Sequence, residues 1–223
     1  MIGAILAVQL FAAGAPVVAV PPPHTPTAGE LADQARMQAC IAKIDSKPED
    51  AYEDALAWAG ETHVREARMC QALALIAMKN VEAGARLLEA LAISADGGED
   101  KDRASVFRQA GNARLLNTQP NEAIEDFTKA LKYAPNEPDL LIDRARAYWL
   151  VEDWRKAEED LSLANDKRPN DSLILRLRAT ARLKLGVLDL AERDAEAAIK
   201  ANPQDVDALL VRGQVREAKA GKK

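Results

Sequence analysis

At 223 residues, 48% hydrophobic, 29% charged and only 4% aromatic, the chain is long enough to bury a real core, and disorder is excluded as a description of the whole. Its Ala/Leu-rich composition favours helices over a sandwich or barrel, and a net charge of −5 gives little drive toward nucleic acid or an anionic membrane surface. The charge is uneven: residues 1–103 hold 9 Lys/Arg and 15 Asp/Glu, residues 104–223 hold 21 and 20, so an acidic first half precedes a near-neutral remainder.

From Met1 to Gly29 there is no Asp, Glu, Lys or Arg. Ile2 to Ala13 has the length of a signal-peptide apolar region, and Val17-Val18-Ala19 offers a small residue before a cut after Ala19. Residues 1–19 are therefore expected to be a signal peptide and the mature chain periplasmic or secreted. Because no Lys or Arg precedes the apolar run, an uncleaved inner-membrane anchor through residues 2–20 stands as the alternative, and membrane contact is expected only in that case. Residues 20–29, VPPPHTPTAG, read as an extended Pro-rich lead-in.

Residues 30–93 read as a helical region. Glu30 to Ile44 and Glu49 to Ala59 form two helices, the second started by Pro48. Val64 to Lys79 and Glu82 to Ile93 form a helix pair with Ala72, Leu75, Leu87, Leu88 and Leu91 inside. Trp58 is expected to pack inside as well. The chain has two cysteines, Cys40 and Cys70, on different predicted helices. In a reducing compartment they would be two small buried hydrophobes; in an oxidising one an even pair usually bridges, so export implies a Cys40–Cys70 disulfide. Residues 94–103, SADGGEDKDR, read as a polar linker.

Beyond it the sequence repeats. Pro135, Pro169 and Pro203 stand 34 residues apart, and the same step aligns Ala123, Ala157 and Ala191; Ala130, Ala164 and Ala198; Gly111, Ala145, Ala179 and Gly213; and Phe107, Leu141, Leu175 and Leu209. Each column has a physical role. The Gly/Ala column lets a second helix cross close to the first, and the two Ala columns, seven residues apart, form the facing stripe of that second helix. Phe127 and Leu161 fill the space between neighbours, where Ala195 stands in the last unit. Pro stops the second helix, and Asn136, Asn170 and Asp205 are candidate N-caps for the next.

This pattern resembles the tetratricopeptide repeat (TPR), a helix-turn-helix unit of 34 residues. The resemblance implies an all-α, right-handed α-solenoid with full units at residues 104–137, 138–171 and 172–205 and a C-terminal capping helix at 206–223. The pair within residues 64–93 reads as a degenerate unit, with Gly84 in the Ala123 column. The helical prelude with its Cys pair resembles those of exported bacterial repeat proteins.

Chemistry is not expected. A nucleophile-base arrangement needs a His or its equivalent, and the chain has only His24 and His63. Cys40, His63 and Cys70 lack zinc-ligand spacing, and no Gly-rich phosphate loop occurs, so no catalytic residue, metal site, cofactor or small-molecule substrate is assigned. The resemblance implies instead a protein or peptide partner, and no nucleic acid, on a concave groove lined by first helices. The groove residues would be Arg108, Asn112, Leu115, Ile142, Arg146, Trp149, Arg176, Thr180 and Lys184, a basic set suited to an acidic, extended peptide with an aliphatic anchor. Tyr148 is expected to face inward and Trp149 the groove. The carboxylate clamp of some family members is only half matched: Arg108 and Asn112 fit, but Asp143, Leu173 and Leu177 stand where Asn and two cations are required. A structural protein that self-associates through its helix faces is the alternative to an adaptor.

Overall fold

A computed structural model describes residues 25–62 and 65–221. The expected signal peptide and its cut, the alternative anchor, residues 20–24 of the lead-in, His24 and His63 lie outside the described residues. Among those described there are eleven helices and no strand: α1 (Ala28–Ile44), α2 (Pro48–Thr62), α3 (Arg65–Ala77), α4 (Val81–Ile93), α5 (Asp100–Leu116), α6 (Pro120–Tyr133), α7 (Pro138–Leu150), α8 (Trp154–Lys167), α9 (Ser172–Lys184), α10 (Leu188–Ala201) and α11 (Val206–Ala220). Each helix packs on its neighbours in the chain, and odd-numbered helices also touch one another, α1 with α3, α5 with α7 and α9 with α11. That is the arrangement of an all-α solenoid, with α5/α6, α7/α8 and α9/α10 as the three full units. No described helix is long and apolar enough to cross a membrane.

The second helix of each full unit stops for one reason. α6, α8 and α10 end two residues ahead of Pro135, Pro169 and Pro203, and the intervening Ala134, Arg168 and Asn202 take ψ of 74°, 74° and 94°. Proline's ring excludes the helical conformation from the residue before it. Asn136 and Asn170, expected as N-caps, instead take the left-handed conformation at φ 63° and 65° and reverse the chain, which a short amide side chain tolerates. The caps are one residue further on, at Glu137 and Asp171. Asp171 accepts from the N–H groups of Leu173 and Ile174 at 3.0 and 3.3 Å, and Asp205 caps α11 as expected, accepting from Ala208 at 3.0 Å. The expected linker 94–103 is shorter than its composition suggests: Glu99 and Asp102 form a reciprocal capping box, and residues 100–103 are the first turn of α5.

The turns inside the units show a column absent from the expectations. Thr118, Glu152 and Gly186, 34 residues apart, all have positive φ, at 59°, 58° and 74°. Only the third unit supplies the residue that this backbone favours, and a β-branched residue here is strained. Thr118→Gly should raise stability by about 0.5–1 kcal/mol. Urea unfolding would show this as a higher midpoint at unchanged slope.

The small-residue columns do the expected packing. Ala123, Ala157, Ala191, Ala130, Ala164 and Ala198 are fully buried. A methyl group on Gly84 would lie 2.6 Å from Ile76 Cγ1 and 2.7 Å from the carbonyl oxygen of Ala72, so only glycine lets α4 cross α3 this closely. Trp58, Leu88 and Leu91 are buried as expected, whereas Leu75 and Leu87 are half-buried. α11 keeps the column residues Leu209 and Gly213, but no described helix covers them: Leu209 is exposed, and the space in front of Gly213 is open.

Candidate functional site

The odd-numbered helices run side by side, and their common face carries the residues expected to line the groove. Its electrostatics differ from the sequence expectation, because several of its cations are already matched within the chain. Arg108 Nε donates to Asp143 Oδ2 at 2.6 Å, joining α5 to α7, with Asp139 3.9 Å from the same guanidinium. Arg176 lies 3.3 Å from Asp205 and 3.2 Å from Asp207, joining α9 to α11 in the same manner. These arginines fasten one first helix to the next and are not free to meet a partner.

Ile142, the residue at the same point of the middle unit, was expected as an apolar anchor. It is 3% exposed and belongs to the core with Leu141, Leu161 and Ile174. The register decides this: where neighbouring units place a long cation that can snorkel, the aliphatic side chain turns into the seam. Leu115 is half-buried against Phe127 and Ala147. Thr180 Oγ1 donates to the Arg176 carbonyl of its own helix at 3.1 Å, and Asn112 is half-buried.

What stays open is narrower. Arg146 is half exposed, its nearest carboxylate being Asp143 at 3.5 Å. Exposed Lys184 stands over the Trp154 ring at 5.6 Å. Trp149 leans on Trp154 with ring centroids 5.8 Å apart and also packs on the α7/α8/α9 core. Its indole Nε1 is buried without an acceptor among the described residues. The expected division, Tyr148 in and Trp149 out, is therefore not a clean one. Both rings are half-buried against the same core, and Tyr148 takes Arg144 and Lys156 over its face at 5.9 and 5.2 Å.

A second set escaped sequence reasoning altogether. Asp126, Asp160 and Asp194 are buried carboxylates spaced 34 residues apart, one on each second helix. Arg144 grips Asp160 with two bonds of 2.8 and 2.7 Å. Arg178 grips Asp194 with two of 2.8 Å, and Arg182 adds a bond of 2.7 Å while also holding Glu158 of the preceding unit. The signal was the same 34-residue step that revealed the alanines, applied to residues usually assigned to a wet helix face.

In the first unit this column is more crowded. Asp126 accepts from Arg114 Nη1 at 2.6 Å, and Arg114 also pairs with Glu89 and, at 3.5 Å, with Glu82, both on α4. Lys129 stands 3.4 Å from Glu89 and 3.5 Å from Asp126. Glu89 and Asp126 thus share Arg114 and Lys129, while Glu82 has Arg86 as well, at 3.7 Å. Burial first, and then the adjoining Glu89, push the Asp126 carboxyl up to about 7, with Arg114 and Lys129 acting against them. Burial disfavours ionising Glu89 too, but its bonds to Asp126 and Arg114 prevail and hold it below its usual value. Of the two, Asp126 is the carboxyl whose surroundings favour the protonated form and Glu89 the one whose surroundings favour the ionised form.

Cys40 on α1 and Cys70 on α3 are brought together, their sulfurs in bonding contact and their Cα atoms 6.1 Å apart, within the range that a disulfide spans. Among the described residues no group of three His, Cys, Asp or Glu side chains is arranged around a metal-sized position.

Residues 114–181, from the end of α5 into α9, match the tetratricopeptide repeat family. Those residues carry tetratricopeptide repeats. Over 123 residues the chain is 28% identical to human RNA polymerase II-associated protein 3, covering 55% of this chain and 18% of that one. Over 159 residues it is 31% identical to the heat-shock protein cognate co-chaperone sgt12 of Aspergillus fumigatus, covering 70% of this chain and 45% of that one. The chain therefore spans less than half the length of these relatives. Among solved structures, the first TPR of Spaghetti (RPAP3), bound to the HSP90 peptide SRMEEVD, superposes with a TM-score of 0.53 at 28% identity over 55% of this chain and 97% of that one. A MamA RS-1 ArsTM double mutant superposes at 0.61 with 16% identity over 78% of this chain and 96% of that one, which shows the same fold.

Proposed function

We propose that the chain is a non-enzymatic adaptor that holds an extended, acidic peptide or partner segment against its row of first helices. The observation that carries this reading is the face itself. It is a row of odd-numbered helices, touching as α1 with α3, α5 with α7 and α9 with α11, on which Arg146 and Lys184 remain exposed and Leu115 and Trp149 half-buried, while Arg108 and Arg176 are consumed in joining the helices. The Spaghetti TPR with its bound HSP90 peptide supports peptide binding as the use of such a face. It does not supply the ligand. Asp143 occupies Arg108, and a peptide's terminal carboxylate would meet Asp143 as a like charge. The partner is therefore read through internal acidic residues and an aliphatic side chain, not through a C-terminal carboxylate.

Fluorescence anisotropy with a panel of internally acidic, end-blocked peptides carrying one aliphatic residue tests this. The double change Arg146→Glu and Lys184→Glu should weaken the best binders at least tenfold, or about 1.4 kcal/mol, at an unchanged melting temperature. Equal binding by the variant, or tight binding of SRMEEVD by the unaltered chain, refutes the reading.

Export to the periplasm or outside the cell belongs to the same proposal, supported by the charge-free stretch from Met1 to Gly29 and by the juxtaposed Cys40 and Cys70, which an oxidising space would join. A second reading, a self-associating assembly protein, is favoured by one feature: Val206 and Leu210 on the outer face of α11 are exposed, at 73% and 59%. Light scattering separates the two, a strict monomer favouring the adaptor.

A further inference from the structure

α1 is held differently from the helices after it. Along its 17 residues Cys40 is the one buried residue, and Met37 and Ile44 add partial contacts with the small cluster of Ala55, Trp58, Ala67 and Cys70. Its other ties include Met37 against the core of Met69, Ala72 and Leu88, Arg36 with Glu61 and over the Trp58 ring at 5.9 Å, Lys43 with Asp54, and Trp58 Nε1 donating to Asp33 at 3.3 Å. Exposed ion pairs contribute little, and most helical stability in proteins comes from packing an apolar face, of which α1 buries little. The sulfur pair is the one covalent fastening of α1 among the described residues. It is also reachable. A cleft of about 290 Å³ between α1 and α2 is lined by Arg36, Ala39, Cys40, Lys43, Trp58 and Cys70 among others. Of the two sulfur-bearing residues Cys40 is 7% exposed and Cys70 1%.

The other side of α1 bears on the groove. Met37 and Ile41, with Met69 and Leu73 of α3 and Ser105 and Gln109 of α5, wall a cavity of about 370 Å³. All of these are on first helices, so α1 closes the N-terminal end of the face proposed to bind peptide.

We infer that the Cys40–Cys70 pair is a thiol–disulfide exchange site, entered at Cys40, whose reduction by a dithiol releases α1 and opens that end of the groove. The inference rests on the export reading, which makes the pair a disulfide. A thiolate of the dithiol enters the cleft and attacks Cys40 Sγ. The Cys40–Cys70 bond breaks, and Cys70 leaves as a thiolate that takes up a proton. The resulting thiol donates to the Ala51 carbonyl, 3.6 Å away. The second thiol of the reductant, deprotonated, then displaces Cys40, which is protonated in turn. Two electrons and two protons pass to the protein, and the reductant leaves as a disulfide.

Hydrogen exchange on the full purified chain, with and without dithiothreitol, tests the inference after non-reducing mass spectrometry has looked for the cross-link. Reduction should speed exchange in residues 28–44 at least tenfold and leave α7 to α10 unchanged. In single-cysteine variants of matching circular dichroism, the thiol left by Cys70→Ser should be alkylated at least tenfold faster than that left by Cys40→Ser. A cross-link whose reduction leaves α1 protected, loosens every helix alike, or is accompanied by equal alkylation overturns the inference alone. Two free thiols in the untreated protein overturn the disulfide reading and the inference with it.

Discussion

Asp194→Ala should destabilise the fold by about 3–5 kcal/mol, and Asp126→Asn, a change in the same column of the first unit, should stabilise it near neutral pH. Asp194 answers both Arg178 and Arg182, whose side chains are 12% and 14% exposed, so its loss strands two mostly buried cations with only Glu158 between them. Around Asp126 burial acts against the charge. Glu89 and Asp126 share Arg114 and Lys129, Glu82 is also answered by Arg86 at 3.7 Å, and Asp126 is the fully buried carboxyl of the set, so an amide at position 126 removes the cost of ionising it there. The pH dependence follows with its sign. A carboxyl raised from 3.8 to about 7 in the folded state binds its proton more tightly there than in the unfolded chain, so its contribution is full below about pH 4 and is lost as the pH rises toward 7. Glu89, held low, gives the opposite dependence only below its ordinary value of 4.5, so between pH 5 and 7 the Asp126 trend stands alone. Urea midpoints across that range should fall for the unaltered chain, by no more than about 1.4 kcal/mol per pH unit, and stay level for Asp126→Asn. A level profile in both would show that the Asp126 carboxyl is not raised. A small loss on Asp194→Ala would place Arg178 and Arg182 in water.

Gly111→Ala should cost about 1–3 kcal/mol and Phe127→Ala about 3–5 kcal/mol, but Gly111→Ala combined with Phe127→Leu should return to within about 1 kcal/mol of the unaltered protein. A methyl group on Gly111 would stand 2.8 Å from Phe127 Cε1 and 2.9 Å from Cζ, and the fully buried ring has no room to retreat. The next unit solves the same crossing with Ala145 and Leu161, the third with Ala179 and Ala195, so the pair trades volume from unit to unit. In the third, Leu188, Val211 and Val215 close the space that a larger residue would have taken. Denaturation of the two single variants and the double gives the coupling directly. Simple addition of the single losses would show that the columns pack independently.

Much of this architecture was legible because it is written as a period. A 34-residue step that places Pro, small and large residues in fixed columns leaves little choice of helix, turn or stacking partner, since each unit buries its stripe only against the next. The misses share a cause. Asn136 and Asn170 were read as caps by residue preference, but Pro135 and Pro169 displace the residue before them from the helix, and the reversal falls on the asparagines. Residues 100–103 were read as linker from their polarity, yet Glu99 and Asp102 satisfy the free backbone donors and start α5 early.

The groove shows where the sequence stops deciding. Sequence alone determined that the chain is an all-α solenoid built on a 34-residue repeat and which side chains lie on its first helices, because these depend on periodicity and position along a helix. Which of those side chains are available to a partner depends on the helices stacked beside them: Asp143 for Arg108, Asp205 for Arg176, and the α7/α8/α9 core for Ile142. A charge on a helix face looks the same in the sequence whether it meets water or a carboxylate on the next helix. Only the stacking of the units settles it, since an ion pair between units exists when two helices stand a few ångströms apart and at no other time.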